Sequence, residues 1–232
     1  MRHSYIRLVY SSLRVAIPVI TIKNFKMKSV LLAGGRSVRM GCRKELLHFG
    51  ETPLYEQQLV RLRSASESVF LSLPSPGALD PILANPRVEC ASQSSLQLHS
   101  GSFLVHLLYD ELPVGPAAGL LAAHRQDPAA TWLVVACDYP CLSVSALRQL
   151  CDTTTAPVTC FENAEGIVEP LLGIWTPPAL DLLEENVNKG ILGPKAVVRA
   201  QGTTIRPQLE NWLFNMNTRA EYEQAKRILD CS

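Results

Sequence analysis

The chain of 232 residues lacks an excess of charge of either sign: 22 Lys and Arg stand against 21 Asp and Glu, a formal net charge of +1. No global basic field is available to grip a nucleic-acid backbone, so any anion must be held by a local cluster. Also missing are a C-x-x-C pair and any Cys/His spacing of the zinc kind. The seven cysteines (Cys42, Cys90, Cys137, Cys141, Cys151, Cys160 and Cys231) are scattered and odd in number. They read as reduced thiols of an intracellular protein, packed as small hydrophobes, and none is a candidate nucleophile. There is no long hydrophobic run: the apolar stretch at residues 15–22 falls far short of the roughly 20 residues a membrane span needs. Neither G-x-x-x-x-G-K-[ST] nor G-x-G-x-x-G occurs, and no internal repeat or composition break marks a second domain.

What is present is enough apolar matter for a core. Hydrophobic residues make up 47% and charged residues 19% of the chain, which argues against disorder. Residues 1–28 are set apart: they carry six Lys or Arg and no acid. They read as a basic extension that is disordered, a targeting segment of the organelle kind, or an upstream run before the true start at Met27. Residues 29–232 read as one domain.

From residue 29 short apolar runs alternate with helical patterns, the signature of βαβ units around a mostly parallel sheet. Strands are expected at residues 29–33, 68–73 and 131–138, the last apolar on both faces, and near 156–161, 167–174 and 212–216. Helices are expected at 53–65, 115–126, 143–152, 178–186, 193–200 and 218–229. Residues 74–97 are rich in Pro, Ser and Asn and read as surface loop with one strand at "RVECA".

In an open α/β sheet, ligands bind beyond the carboxyl ends of the strands, so the residues just after each strand are informative. After the first strand come Gly34 and Gly35, then Arg36, Arg39, Arg43 and Lys44 with no carboxylate among them. Exposed backbone N–H groups and local positive charge suit a phosphate; a glycine turn with solvated basic residues is the plainer alternative. After the central strand stands Asp138 in "CDYP", where one carboxylate can hold Mg²⁺ against a polyphosphate; a turn or helix cap is the alternative. Asp110, in "YDELPVGP", is a second acid at the ligand edge, or an exposed loop acid. Asn215 and Asn217 flank Met216 ahead of Thr218 and Glu221, which form a capping box. Turn formation alone also accounts for two asparagines there.

These residues together resemble a known family. "LLAGGRSVRMGCRKELL" at residues 31–47 is similar to the L-A-G-G-x-S-x-R-M-G-x-x-K signature of the MobA-like nucleotidyltransferases. "GPAAGL", "VVACDYP", "EPLLGIW" and "NMNT" resemble four further motifs of that family, in the same order. The resemblance implies a Rossmann-like three-layer α/β sandwich of the nucleotide-diphospho-sugar transferase type. It implies transfer of GMP from GTP to molybdopterin with Mg²⁺ and release of pyrophosphate, in the cytoplasm, with molybdoenzymes or cofactor-pathway proteins as possible partners and neither nucleic acid nor membrane. Motif by motif, Leu32, Ala33, Gly34 and Gly35 would contact the nucleotide, Arg39 and Lys44 its phosphates, Asp110 the nucleotide again, and Asp138 the metal. Arg39, Lys44 and Asp138 would be catalytic, and Asn215 and Asn217 would line the reaction site. The chain departs from the pattern at Arg43, where Asp is common, at Ala117, where Leu is usual, and at Ser72, where Asn is common. Cytidylyl or sugar-nucleotide transfer, or nucleotide binding without catalysis, would use the same loop.

Overall fold

The structure is a computed structural model, and it describes residues 27–34, 42–66, 68–99, 102–110 and 112–230. The chain runs through β1 (Met27–Leu32), a small hairpin of β2 (His48–Phe49) and β3 (Thr52–Pro53), α1 (Leu54–Arg63), β4 (Ser68–Leu73), α2 (Asp80–Leu83), β5 (Val88–Ser92), β6 (Ser95–Leu98) and β7 (Phe103–Tyr109). It continues with α3 (Ala117–Gln126), β8 (Thr131–Ala136), α4 (Val144–Thr153), β9 (Val158–Glu162), β10 (Val168–Trp175), α5 (Pro177–Asn188), α6 (Lys195–Gln201), β11 (Gly202–Ile205) and α7 (Arg219–Asp230).

Among the described residues nine strands form one sheet in the order β11-β9-β10-β8-β1-β4-β7-β6-β5. The central four, β8, β1, β4 and β7, are parallel, and β10, β6 and β5 join by antiparallel pairing. β8, β1 and β4 are largely apolar on both faces because each face is covered, whereas β7 leaves Leu104 and His106 exposed. Leu31, Leu133 and Val135 pack into the layer of α1, α4 and α7, while Val30, Trp132 and Val134 pack into the layer of α3, α5 and α6. Each such fully buried side chain contributes about 1.5–3 kcal/mol relative to exposure. The result is the largely parallel core that the alternation of elements implied, in the three-layer α/β sandwich that the family resemblance implied.

Several boundaries differ from the sequence reading. β1 begins at Met27, because Lys28 is accommodated: its ammonium pairs with Asp127 at 2.6 Å and lies over the rings of Phe70 and Trp132. Residues 1–26 of the basic extension lie outside the described residues. Within 74–97 stand α2 and the β5–β6 hairpin, and β7 follows. β7 is hard to see in the sequence because Leu104, 48% exposed, is apolar yet faces solvent, blurring the period of two that Phe103, Val105 and Leu107 carry. No strand occupies 212–216. Trp212 and Leu213 are adjacent and both buried, as in a strand covered on both faces, but Glu210–Leu213 close a 3₁₀ turn and pair with no strand. The strand of this region is β11, whose β-branched Thr203, Thr204 and Ile205 pair with β9.

Gly173 in β10 faces Cys160 where the β9 register shifts, and a Cβ there would come within 2.7 Å of Cys160 Cβ and of the Thr159 carbonyl oxygen. Gly173→Ala is therefore expected to destabilise the fold by about 1–3 kcal/mol. Urea unfolding monitored by tryptophan fluorescence measures it; an unchanged midpoint would contradict this packing.

Candidate active site

The topology fixes where a site can form. From β1 the chain first builds β4 and β7 on one side, then crosses to place β8 on the other, so the sheet changes direction at the β1–β8 pair. At or just past the carboxyl ends of these strands stand Leu32 and Ala33 from β1, Ser72 from β4, Asp110 from β7 and Asp138 from β8. Backbone bonds tie the ends together: Cys137 N–H donates to the Leu32 carbonyl, Ala33 N–H to that of Ser72 and Asp110 N–H to that of Leu73, at 2.9–3.0 Å.

One cluster lies on the β8 side. Lys44 opens a 3₁₀ turn, and its Nζ donates to Asn217 Oδ1 at 2.6 Å and lies 3.8 Å from Asp138 Oδ2. Asn217 Nδ2 donates to Asn215 Oδ1 at 2.6 Å, so both ends of the Asn217 amide are committed. The residues are far apart in sequence and meet because α7 is docked. Tyr222 packs edge-on against Phe49 and donates its hydroxyl to the His48 carbonyl at 2.7 Å. Glu221 Oε2 accepts from Asn217 N–H, Thr218 N–H and Thr218 Oγ1, completing the capping box and fixing the Asn217 backbone. These bonds, the Asn217 amide first, hold the Glu221 carboxyl below its ordinary pKa. The 212–216 turn adds one more tie, Met216 N–H to the Asp138 carbonyl at 2.9 Å.

Asp138 is not a helix cap; Ser143 caps α4 by accepting from Ala146 N–H. Burial pushes the Asp138 carboxyl up from its ordinary pKa, with the Lys44 ammonium the largest opposing influence. At about 4 Å and an effective dielectric of about 20, such a pair attracts by roughly 4 kcal/mol, much of it cancelled by desolvation. Asp138 Oδ1 is buried and has no partner at hydrogen-bonding distance among the described residues, although the Asn215 amide acts on the carboxyl and opposes the rise of its pKa; the side chain as a whole stays 27% exposed. An orphan carboxylate oxygen at a solvent-reachable edge suits a cation. Among the described residues no group of three or more His, Cys, Asp or Glu forms a metal cage. Mg²⁺ does not need one, since it usually takes one or two carboxylates together with phosphate oxygens and waters. The residues present therefore fit Mg²⁺ held jointly with a polyphosphate.

A second cluster lies on the β4–β7 side. Ser72, fully buried, donates its hydroxyl to Asp110 Oδ2 at 3.0 Å. Burial raises the Asp110 carboxyl pKa, and the Ser72 hydroxyl opposes the rise. A Cβ on Gly34 would meet Asp110 Oδ2 and Pro74 at 3.4 Å, and one on Gly119 would meet Leu32 at 2.6 Å and both Asp110 Oδ2 and Ser72 Oγ at 3.2 Å. The glycines are what let β1, β4, β7 and α3 converge around the Asp110 carboxylate.

Of the expected site residues, Leu32, Ala33, Gly34 and Asp110 thus gather on one side of the edge and Lys44, Asp138, Asn215 and Asn217 on the other. Gly35 and Arg39 lie outside the described residues, as does Arg36. Arg43 turns away from the site: its Nε donates to buried Glu45 at 2.6 Å and its Nη1 to the Ala78 carbonyl at 2.7 Å. It anchors the turn that presents Lys44. Tyr139, Glu169 and Gln58 carry no role in the sequence reading, yet Tyr139 donates to Glu169 Oε2 and accepts at its carbonyl from Gln58 Nε2, each at 2.7 Å. Only the "CDYP" and "EPLLG" stretches signal Tyr139 and Glu169, nothing in their spacing joins the two, and Gln58 in α1 has no signal at all.

Comparison with known proteins agrees with this fold. The chain is 29% identical over 200 residues to a molybdenum cofactor biosynthesis bifunctional protein of Synechocystis, covering 84% of this chain and 52% of that one, so it spans about half of that relative. It is 29% identical over 208 residues to a probable molybdenum cofactor guanylyltransferase of Carboxydothermus hydrogenoformans, covering 85% of this chain and 94% of the relative. The fold matches the crystal structure of molybdopterin-guanine dinucleotide biosynthesis protein A from Archaeoglobus fulgidus with a TM-score of 0.66 at 19% identity, over 88% of this chain and all of that one. The profile of the MobA-like NTP transferase domain matches residues 29–207, and the chain belongs to that family.

Proposed function

We propose that the chain transfers GMP from GTP to molybdopterin with release of pyrophosphate. The observation that carries this reading is the Lys44–Asp138 contact at the β1–β8 edge, where an ammonium stands beside a carboxylate with one orphan oxygen. The names of the curated relatives support the acceptor and the base.

The terminal phosphate of the acceptor attacks the α-phosphorus of GTP in line, the bond to the bridging oxygen breaks, and pyrophosphate leaves. The obstacle is that one anion must approach another, so positioning and charge carry the reaction and no protein nucleophile is needed. Lys44 supplies a positive charge held by Asn217 before substrate arrives, and needs little reorganisation to reach a phosphate oxygen. Asp138 would hold Mg²⁺, which when bound neutralises phosphate charge. Asn215 and Asn217 would orient the attacking group. Asp110, braced by Ser72, would read the base from the β4–β7 side, with Leu32, Ala33 and Gly34 offering close backbone approach; Gly35 and Arg39 would complete the phosphate loop. Pyrophosphate release measured with GTP, ATP, CTP and UTP, with and without molybdopterin, tests the reading: it is expected only with molybdopterin and fastest with GTP. Release fastest with CTP would move the chain to cytidylyl transfer.

Asp138→Asn should lower turnover at least roughly 100-fold, as removal of a metal-binding or charge-stabilising group does. The same change should stabilise the fold at neutral pH. Since burial raises the Asp138 pKa, the folded state binds more protons than the unfolded state just above the ordinary carboxylate pKa. The unaltered chain therefore loses stability as pH rises through that window, and the Asp138→Asn variant, with no carboxyl to titrate there, does not. Thermal unfolding of both proteins from pH 4 to 7.5 should show a gap widening with pH; a constant gap would contradict the raised pKa.

Lys44→Met should reduce kcat/KM by about 100-fold, read in the pyrophosphate assay. Unchanged kinetics would return Lys44 to a structural role.

Ser72→Ala removes the hydroxyl that braces Asp110. Competition binding of the four nucleotides should show the preference for GTP reduced roughly tenfold, the scale of a lost hydrogen bond to a charged group. An unaltered preference would remove Asp110 and Ser72 from base reading.

A further inference from the structure

We infer that Glu169 is a positioning residue for Asp138, acting through the Tyr139 hydroxyl, an inference that rests on the nucleotidyl-transfer reading above. Asp138 lies past the end of β8, where the ladder that orders the strand has stopped. Its orientation depends on what holds its neighbours. Besides the Lys44 ammonium and the Asn215 amide, which act on its own carboxylate, five ties are present: Cys137 N–H to the Leu32 carbonyl, Met216 N–H to the Asp138 carbonyl, Gln58 Nε2 and Leu142 N–H to the Tyr139 carbonyl, and Tyr139 Oη to Glu169 Oε2. Only the last joins two side chains, and it is the one that reaches across to β10.

The antiparallel course of β10 makes this tie possible. Leu172 pairs with Val135, so the start of β10 runs past the carboxyl end of β8, on the ligand edge. Between Glu169 and Gly173 the pairing with β9 shifts register, and Trp175 Nε1 donates to the Pro170 carbonyl at 2.8 Å, fixing the irregular stretch. The shift begins just past Glu169, which still pairs with Phe161 and so is held at the last regular position before the irregular stretch. Tyr139 is only 3% exposed, so its hydroxyl needs a buried acceptor; Phe would fill the same volume if packing were all that mattered. With Tyr139 clamped at its carbonyl by α1 and at its hydroxyl by β10, the preceding residue has little freedom.

The test uses Mn²⁺ titrated into full-length protein with GTP, read by water-proton relaxation, which rises when the protein holds the Mn²⁺–GTP complex. Glu169→Ala and Tyr139→Phe should each weaken uptake roughly tenfold, as loss of an outer support of a metal ligand does, and the double variant should lose no more than either alone. Glu169→Gln should retain uptake, because its amide oxygen accepts the same hydroxyl. Cooperative thermal unfolding of each variant shows that it is folded, and Tyr139→Phe, one oxygen smaller, covers the case in which Glu169→Ala does not fold. Wild-type uptake by both single variants would overturn the positioning role. Additive losses would overturn it too, by placing Glu169 on the metal itself. No uptake by the unaltered chain with any of the four nucleotides would overturn nucleotidyl transfer and this inference together.

Discussion

Burial of β1 and β8 on both faces is the constraint from which the site follows. Most of their side chains enter one helical layer or the other, so a polar group along them needs a partner of its own, as Ser29 has in the Ser68 carbonyl and Lys28 in Asp127. Polar chemistry is pushed to the carboxyl edge, where the ladder ends and Asp138 is the first acid after the apolar run. The edge faces two ways because the chain turns back at this pair of strands, and the two clusters, around Asp110 and around Asp138, lie on either side of it.

The second requirement is that distant segments be brought to that edge and kept there. Lys44 and Asn217 meet through α7, whose Tyr222 is bonded to the β2–β3 hairpin and whose first turn is closed by Glu221. Glu221 has a double part: it caps the helix and it fixes the backbone of the residue that receives Lys44. A stabilising device and a site-building device are here the same carboxylate, with its pKa lowered by the bonds that do both. On the other side of β8 the site carries a cost, since the Asp138 carboxyl is less comfortable ionised than in water. Burying an incompletely partnered carboxylate is the kind of local sacrifice that functional sites make.

Much of this is legible in the sequence where a physical rule is local. Long apolar runs mark the parallel core, Pro53 and Pro116 mark helix starts, and Thr218 with Glu221 announces the cap that the structure contains. Lys44 and Asp138 stand out as charges at strand ends. The rest depends on contacts no local rule contains. Tyr139 and Glu169 are ordinary residues until an antiparallel strand sets them together. Arg43 looks like one more phosphate ligand until the structure turns it to Glu45. β7 and β11 are hidden in the sequence and residues 212–216 mislead for opposite reasons. In β7 an exposed Leu104 hides the alternation, β11 is short and half-buried, and at 212–213 two neighbouring buried side chains look like part of a strand.

The central claim is that the orphan oxygen of Asp138, with Lys44 beside it, is where a metal–triphosphate complex sits. Anomalous scattering from crystals grown with Mn²⁺ and a non-hydrolysable GTP analogue locates the ion directly. A single strong peak is expected within coordination distance of Asp138, about 2.0–2.2 Å for a hard divalent cation on a carboxylate oxygen, with phosphate density reaching Lys44. A nucleotide bound elsewhere, or a manganese peak away from Asp138, would contradict it.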